Sequence, residues 1–294
     1  MGHHPPNRYG PAFAIAISLN LAFVVIEVIY ALLANSSSLL ADAGHNFGDI
    51  IGLALAAGAN GLLMAKPRDR FSYGFKKTTI LAAILNACIL VATSAVICFE
   101  AISKLISPEH VNELTVAVVA AIGIAINGGS ALLFMKNDGD LNIKGAFLHL
   151  AYDAMISLGV VVAAVLIYFT GYYWLDPLVG LFIVIAILLG AWGLLRDSVI
   201  LILDAVPSHV DINQVNAFLL ALPDVKEVHD LHIWGLSTNE VALTAHLVIT
   251  KDFLTDDQQR SICNALRTNF YIEHVTLQME HGTLHHDKGH TQCC

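Results

Sequence analysis

Six stretches of this chain are each as long and as apolar as a bilayer-crossing helix has to be. They are Ala12–Leu33, Leu39–Met64, Thr78–Leu105, Leu114–Met135, Ile143–Phe169 and Trp174–Leu195. A helix that spans the hydrocarbon core needs about 20 mostly apolar residues. The gaps between the stretches are short and rich in turn residues, as in Asn35-Ser36-Ser37-Ser38 and Asn137-Asp138-Gly139-Asp140. The alternation of a transmembrane β-barrel is absent, so the backbone must satisfy itself in lipid as helices. Composition agrees. Of 294 residues, 56% are hydrophobic and 13% are charged, against about 25% charged in an ordinary soluble domain. A purely cytosolic enzyme, a secreted disulfide scaffold and a disordered chain are thereby excluded. The formal net charge of −9 argues against nucleic acid as a partner.

The basic residues set the expected orientation. Arg8 precedes the first stretch, and Lys66, Arg68, Arg70, Lys76 and Lys77 lie between the second and third. Lys136 and Lys144 flank the fourth-to-fifth connection and Arg196 follows the sixth, whereas the opposite connections hold only Lys104. By the positive-inside rule both termini are cytoplasmic. The first stretch is too long for a signal-peptide core and has no small-residue cleavage site after it, so it reads as retained. Residues 1–204 carry 10 Lys+Arg and 13 Asp+Glu, net −3, and residues 205–294 carry 5 and 11, net −6. The chain therefore reads as a transmembrane domain over 1–204, an acidic cytoplasmic domain over 205–281 and a His/Cys-rich tail over 282–294. Its five cysteines, Cys88, Cys98, Cys263, Cys293 and Cys294, face a reducing compartment and do not suggest a disulfide framework.

An ionisable residue at membrane depth is costly and points to function. The second stretch holds His45-Asn46-Phe47-Gly48-Asp49 and the fifth holds His149-Leu150-Ala151-Tyr152-Asp153. In each, His and Asp stand four residues apart, which places them on one helix face. One such pair alone reads equally as a local His–Asp hydrogen bond or a packing contact. Two identical pairs on facing helices would supply two imidazole nitrogens and two carboxylate oxygens, a closed tetrahedral set suited to Zn²⁺. Metal binds neutral imidazole and ionised carboxylate, so protons compete for the same atoms. A site opened alternately to each face would then exchange metal for protons.

Other polar residues in the apolar stretches carry weaker signals. Asp42, three residues before His45, reads either as an entry or supporting carboxylate or as a cap. Glu27, Asn20, Asn86 and Asn127 are expected to make interhelical hydrogen bonds, and Glu100 to reach water. Gly48, Gly52, Gly58 and Gly61 would permit close helix approach.

The last 90 residues read as a small α+β domain. Val210–Leu222 is a predicted helix with Asp211 at its N-cap, and Thr255–Asn269 a second with Thr255 as cap. Val228–Leu236 and Glu240–Thr250 form a predicted hairpin, and Ile272–Glu280 a third strand. The order is α-β-β-α-β.

The segment Ser38–Asp49 resembles the second-span motif of the cation diffusion facilitator family, specifically its zinc exporters, and Asn142–Asp153 with its lead-in Leu141 resembles the fifth-span motif. Arg70-Phe71-Ser72-Tyr73-Gly74, Asp176-Pro177 and Asp197-Ser198 are also similar to segments of that family. The resemblance covers about Ala12 to Glu280. It implies an all-α six-helix transmembrane domain, a metallochaperone-like cytoplasmic domain, a homodimer, and proton-driven export of Zn²⁺, with Cd²⁺ or Co²⁺ as further ions. It implies a transport site of His45, Asp49, His149 and Asp153. By position His229, His246 and Glu280 resemble the family's cytoplasmic zinc ligands, and they read equally as surface polar groups at sheet edges.

Two departures stand out. Some family members bind zinc through histidines between spans two and three, but residues 66–77 contain none, with Phe71 and Phe75 in that stretch, so no loop site is expected. His281, His285, His286, His290, Cys293 and Cys294, and His3-His4 at the other end, are compositionally suited to collecting zinc. A membrane metalloenzyme using the same His/Asp set is the first alternative, but no H-E-x-x-H or cluster of histidine boxes occurs. A metal sensor is the second, for which six spans make an over-built anchor. The compact domain and short loops fit a bacterial inner membrane.

Overall fold

The computed structural model describes residues 10–134, 141–250 and 255–280, with side chains described for 20–132, 147–250 and 255–280. His3-His4, Arg8, the connection Asn137–Asp140, the side chains of Lys136 and Lys144, and the stretch from His281 to Cys294 lie outside the described residues. The chain divides into two compact units, Met1–Ala57 with Leu85–Leu195, and Gly58–Ile84 with Arg196–Cys294.

Among the described residues, six long helices come first: α1 (Gly10–Leu33), α2 (Ser37–Leu63), α3 (Thr78–Ile106), α4 (Glu113–Phe134), α5 (Leu141–Thr170) and α6 (Leu175–Ile202). Among the described residues, α2 to α6 contain five segments long and apolar enough to cross a membrane, and α1 contributes a shorter apolar segment, Asn20–Leu33. Large apolar side chains point outward, among them Phe99, Phe169, Phe182 and Trp192. A water-soluble protein would not leave so much apolar surface uncovered.

In the first unit, the interior is built from Phe23, Leu39, Val116, Val119, Val160 and Val184. Small residues set the helix spacing. A Cβ at Gly44 would lie 2.7 Å from Ile97, one at Gly48 2.3 Å from Leu90 and one at Gly52 2.8 Å from Asn86, so α3 runs tight along this glycine face of α2. Gly58 and Gly61 do not belong to that stripe, since a Cβ at either meets open space. The expected role of span-two glycines in close approach therefore holds for Gly48 and Gly52 and fails for the other two.

The N-terminus of α2 is held from a distance. Asp176, buried in the first turn of α6, accepts from Ser36 Oγ at 2.6 Å, Ser37 N at 2.5 Å, Ser38 Oγ at 2.5 Å and Ser38 N at 3.3 Å. It thus satisfies backbone donors that the first turn of a helix leaves open. Asp42 is not the cap: it sits inside α2, fully buried. Glu100 does not simply reach water, because it accepts from Ser37 Oγ at 2.8 Å and pairs with Lys104. Asn127 makes no interhelical hydrogen bond: among the described residues neither atom of its buried amide has a partner, and Asn20 Oδ1 and Asn86 Oδ1 are likewise unpartnered.

The second unit contains a three-stranded sheet in the order β1 (Val225–Gly235), β2 (Val241–Ile249), β3 (Ile272–Glu280). β1 and β2 are antiparallel, and β3 lies parallel to β2 after the crossover helix α8 (Asp256–Phe270). α7 (Ile212–Leu220) precedes the sheet. The predicted order α-β-β-α-β is the observed one. Asp211 caps α7 through Asn213 N and Gln214 N, and Thr255 and Gln258 form a capping box on α8, each cap contributing about 1 kcal/mol. Leu219, Leu243, Leu247 and Leu266 are fully buried together, and burying each such side chain is worth about 1.5–3 kcal/mol. The connection between α2 and α3 belongs to this unit. Tyr73 packs edge-on to His274 with centroids 5.5 Å apart, Lys76 pairs with Glu240, and Thr238 N donates to Thr79 Oγ1 at 3.2 Å. Phe71 and Phe75 pack on each other with centroids 4.7 Å apart.

Candidate metal centres

The fourfold helical spacing does locally what the sequence implies, and the packing of α2 on α5 does the rest. His45 Nε2 lies 3.7 Å from Asp49 Oδ2 on its own helix and 3.3 Å from Asp153 Oδ1 across the interface. His149 Nε2 lies 3.6 Å from Asp153 Oδ2 and 3.4 Å from Asp49 Oδ2. The four residues thus close a ring in which imidazole and carboxylate alternate. Ligand atoms about 2.0–2.1 Å from a tetrahedral zinc ion stand about 3.3–3.4 Å from one another, close to the His–Asp spacings around this ring, and His45, Asp49 and Asp153 bring one ligand atom each within 4.8 Å of one another.

The donor set carries a second mark. His45 Nε2, Asp49 Oδ2 and Asp153 Oδ1 are buried with no hydrogen-bond partner among the described residues. Buried polar atoms are nearly always satisfied, and these three converge on one point, within 4.8 Å of one another. A divalent cation at that point satisfies all of them. His149 is the open side of the ring, 47% exposed, whereas Asp153 is 2% exposed.

Around the ring, Asn46 Nδ2 donates to Glu27 Oε2 at 3.1 Å and Ser157 Oγ donates to Asp42 Oδ2 at 2.7 Å. Glu27 therefore makes the interhelical bond expected of it, and Asp42 supports rather than caps. Ser157 was not singled out from sequence, although it lies four residues beyond Asp153 on the same helix face.

A second cluster forms on the sheet. His229 and His246 are directly paired across β1 and β2, with ring centroids 5.1 Å apart. Glu280, at the end of β3, meets both: its Oε2 is 2.9 Å from His229 Nε2 and its Oε1 is 2.8 Å from His246 Nδ1. The three residues suggested for a cytoplasmic site are thus together, with ligand atoms within 4.8 Å of one another.

Asp230 joins this cluster and was missed. Strict strand alternation sends it to the face opposite His229. The ladder has an irregularity between His229 and His232, and Asp230 takes φ +49°. That bulge turns its carboxylate to His246 Nε2 at 3.6 Å and His232 Nε2 at 2.9 Å. The hydrogen bond from His232 holds the Asp230 carboxyl below its ordinary range.

Comparison with known proteins matches these parts. Residues 13–203 fit the model of the cation efflux transmembrane domain, and residues 207–282 that of the cation efflux protein cytoplasmic domain. The chain belongs to the cation efflux family. This is the cation diffusion facilitator family that its span motifs resemble, a family of metal transporters rather than enzymes. It is 32% identical over 98% of its length to a cadmium, cobalt and zinc/H(+)-K(+) antiporter of Bacillus subtilis, covering 95% of that protein. It is 31% identical over 96% of its length to the zinc transporter ZitB of Escherichia coli, covering 91% of it. The metal-bound C-terminal domain of the CzcD transporter from Cuprividus metallidurans is 38% identical over 24% of this chain and 99% of that one, with a TM-score of 0.23. The chain is accordingly an integral membrane protein for metal cation efflux.

Proposed function

We propose that this protein exports Zn²⁺ from the cytoplasm in exchange for protons by alternating access, with Cd²⁺ or Co²⁺ as further cargo. The observation that carries this reading is the ring of His45, Asp49, His149 and Asp153, in which buried, unpartnered atoms of His45, Asp49 and Asp153 converge and the more exposed His149 Nε2 lies 3.4 Å from Asp49 Oδ2. Two imidazoles and two carboxylates form a borderline donor set. It suits zinc better than the all-oxygen sites of Mg²⁺ and Ca²⁺ or the thiolate sites of Cu(I). The same atoms bind protons, so a proton gradient can drive the metal off. The relatives' names, which include zinc, cadmium and cobalt, support this cargo range.

In this reading all six helices α1 to α6 span a bacterial inner membrane, both termini are cytoplasmic, and the protein works as a homodimer. Residues 1–204 transport, 205–281 form the cytoplasmic domain, and 282–294 form a His/Cys-rich tail. The matched cytoplasmic-domain model, whose short name includes the word dimer, supports the assembly. His229, His246 and Glu280, with Asp230 beside them, form a regulatory metal site. Its ligand atoms come from three strands, so metal there stiffens the sheet.

Transport in vesicles tests the reading. With purified protein reconstituted, an imposed pH gradient is expected to drive zinc flux, followed by a trapped dye. The flux should collapse when the gradient is dissipated. Flux that ignores the gradient, or that survives in both Asp49→Ala and Asp153→Ala, removes the reading.

A further inference from the structure

A second polar layer lies one helical turn from the ligands, on the same two helices. Asp42 stands three residues before His45 on α2, and Ser157 four residues after Asp153 on α5. Glu27 of α1 enters the same layer. Both Glu27 and Asp42 have 0% exposure. Each has one oxygen held by a donor, from Asn46 and Ser157 respectively. Each keeps its other oxygen, Glu27 Oε1 and Asp42 Oδ1, buried with no donor among the described residues. The two carboxyl groups are within hydrogen-bonding reach of each other.

This arrangement is incomplete as two carboxylates. Among the described residues, the other charged or titratable groups that bear on the pair are Asp153 and His45, with no Lys or Arg. Two like charges in contact and out of water cannot both persist. A single shared proton completes the layer: one carboxyl then donates to the other, and both orphan oxygens are satisfied. Among the described residues the ion pairs of the four proposed ligands are all with one another, so neither Glu27 nor Asp42 is ion-paired to the ring, although His45 and Asp153 lie near enough to act on the pair electrostatically.

We propose that the Glu27–Asp42 pair is a proton-binding site of the transport cycle, with Glu27 as the group that releases and regains one proton per metal ion carried. The inference rests on the exchange reading above. A dication in the ring would stand about one helical turn, roughly 5 Å along the axis, from Asp42. Its charge favours the doubly ionised pair, so metal loading expels the shared proton. When the metal leaves, the pair takes a proton again, and the protonated layer in turn weakens the hold on metal. The coupling is reciprocal, as any linkage between two sites must be.

The test counts protons. Full-length protein in detergent is titrated with ZnCl₂ in weak buffer beside a pH dye, and coupled proton flux per zinc is read in vesicles. Glu27→Gln keeps the shape and an acceptor for Asn46. It is expected to bind zinc through the ring while releasing one proton fewer per ion than the parent. Asp42→Asn should lose the same proton, and Glu27→Asp should keep it, which covers the case in which Glu27→Gln does not assemble. An unchanged proton count in both Glu27→Gln and Asp42→Asn overturns the inference, including where the transport rate falls, since a purely structural role slows flux without changing the count. A parent protein that releases no protons on binding zinc, or an Asp49→Ala variant that binds as well as the parent, brings down the exchange reading itself. That outcome is distinct from an intact parental count that the Glu27 variant fails to change.

Discussion

His45 Nε2 of α2 and Asp153 Oδ1 of α5 stand 3.3 Å apart, both buried and neither hydrogen-bonded among the described residues. This contact joins the two helices that supply the ring. Removing either partner takes away one of the four proposed metal ligands and leaves the other without its cross-helix neighbour. Loss of a group that only supports a ligand typically costs about 10–100-fold in metal affinity, so loss of a ligand should cost at least that. Asp153→Ala is expected to weaken zinc binding by about a hundredfold or more and to abolish flux. The protein should still elute as the parent does in size-exclusion chromatography, because the helix interior around Val160 and Val184 is untouched. Isothermal titration with zinc checks the affinity.

The cytoplasmic cluster predicts a different phenotype. Glu280 contacts both His229 and His246, so Glu280→Gln removes a carboxylate that meets both imidazoles. Metal binding is expected to lose one class of sites, while zinc flux persists at a reduced rate. Counting bound zinc per chain by mass spectrometry or atomic absorption, before and after the substitution, reads the first part. Vesicle flux reads the second.

Asp230 adds a pH dependence with a definite sign. The hydrogen bond from His232 holds its carboxyl below the usual range, so the folded protein keeps it ionised to lower pH than the unfolded chain does. Stability from this group is fully present above the unfolded carboxylate value, about 3.9, and is lost as pH falls through the lower folded value. His232→Ala removes the principal cause of the shift. Acid unfolding, followed by circular dichroism, is expected to begin at higher pH in that variant.

The sequence made some of this architecture legible and concealed the rest for identifiable reasons. The apolar stretches announce helices because lipid leaves no other partner for the backbone. The His/Asp spacing announces the ring because position four on a helix is the same face. Thr255 and Asp211 announce their helices because caps are chemical, local and short-range. What the pattern hid was long-range or irregular. Asp230 escaped because a bulge reverses the alternation that a strand reading assumes. Asp176 looked like part of the start of α6, yet its acceptors serve the N-terminus of α2. Asn127 looked like an interhelical donor, but whether a buried amide finds a partner depends on the neighbouring helix's register, which periodicity does not specify.

The contact between α6 and the start of α2 yields the sharpest stability prediction. Asp176 accepts four hydrogen bonds from Ser36, Ser37 and Ser38. Asp176→Ala leaves two buried backbone N–H groups and two hydroxyls without their acceptor. Each orphan costs about 1–3 kcal/mol, and the hydroxyls can rotate toward other partners, so a net loss of about 3 kcal/mol is expected. Asp176→Asn should be much milder: its carbonyl oxygen can take the backbone donors, and its amide can donate to the serine oxygens. Gly180 lies against the same turn, where a Cβ would sit 2.8 Å from Ser37 O and 2.9 Å from Ser37 C. Backbone cannot rotate away, so Gly180→Ala should separate α6 from α2. By contrast, a Cβ at Gly48 meets Leu90 Cδ2 at 2.3 Å, the far end of a side chain that can change rotamer. Thermal unfolding in detergent should therefore place Gly180→Ala and Asp176→Ala well below the parent, with Gly48→Ala and Asp176→Asn between. If Gly48→Ala were the most destabilised of the four, the α3 contact rather than the α6 contact would be what fixes α2 in place.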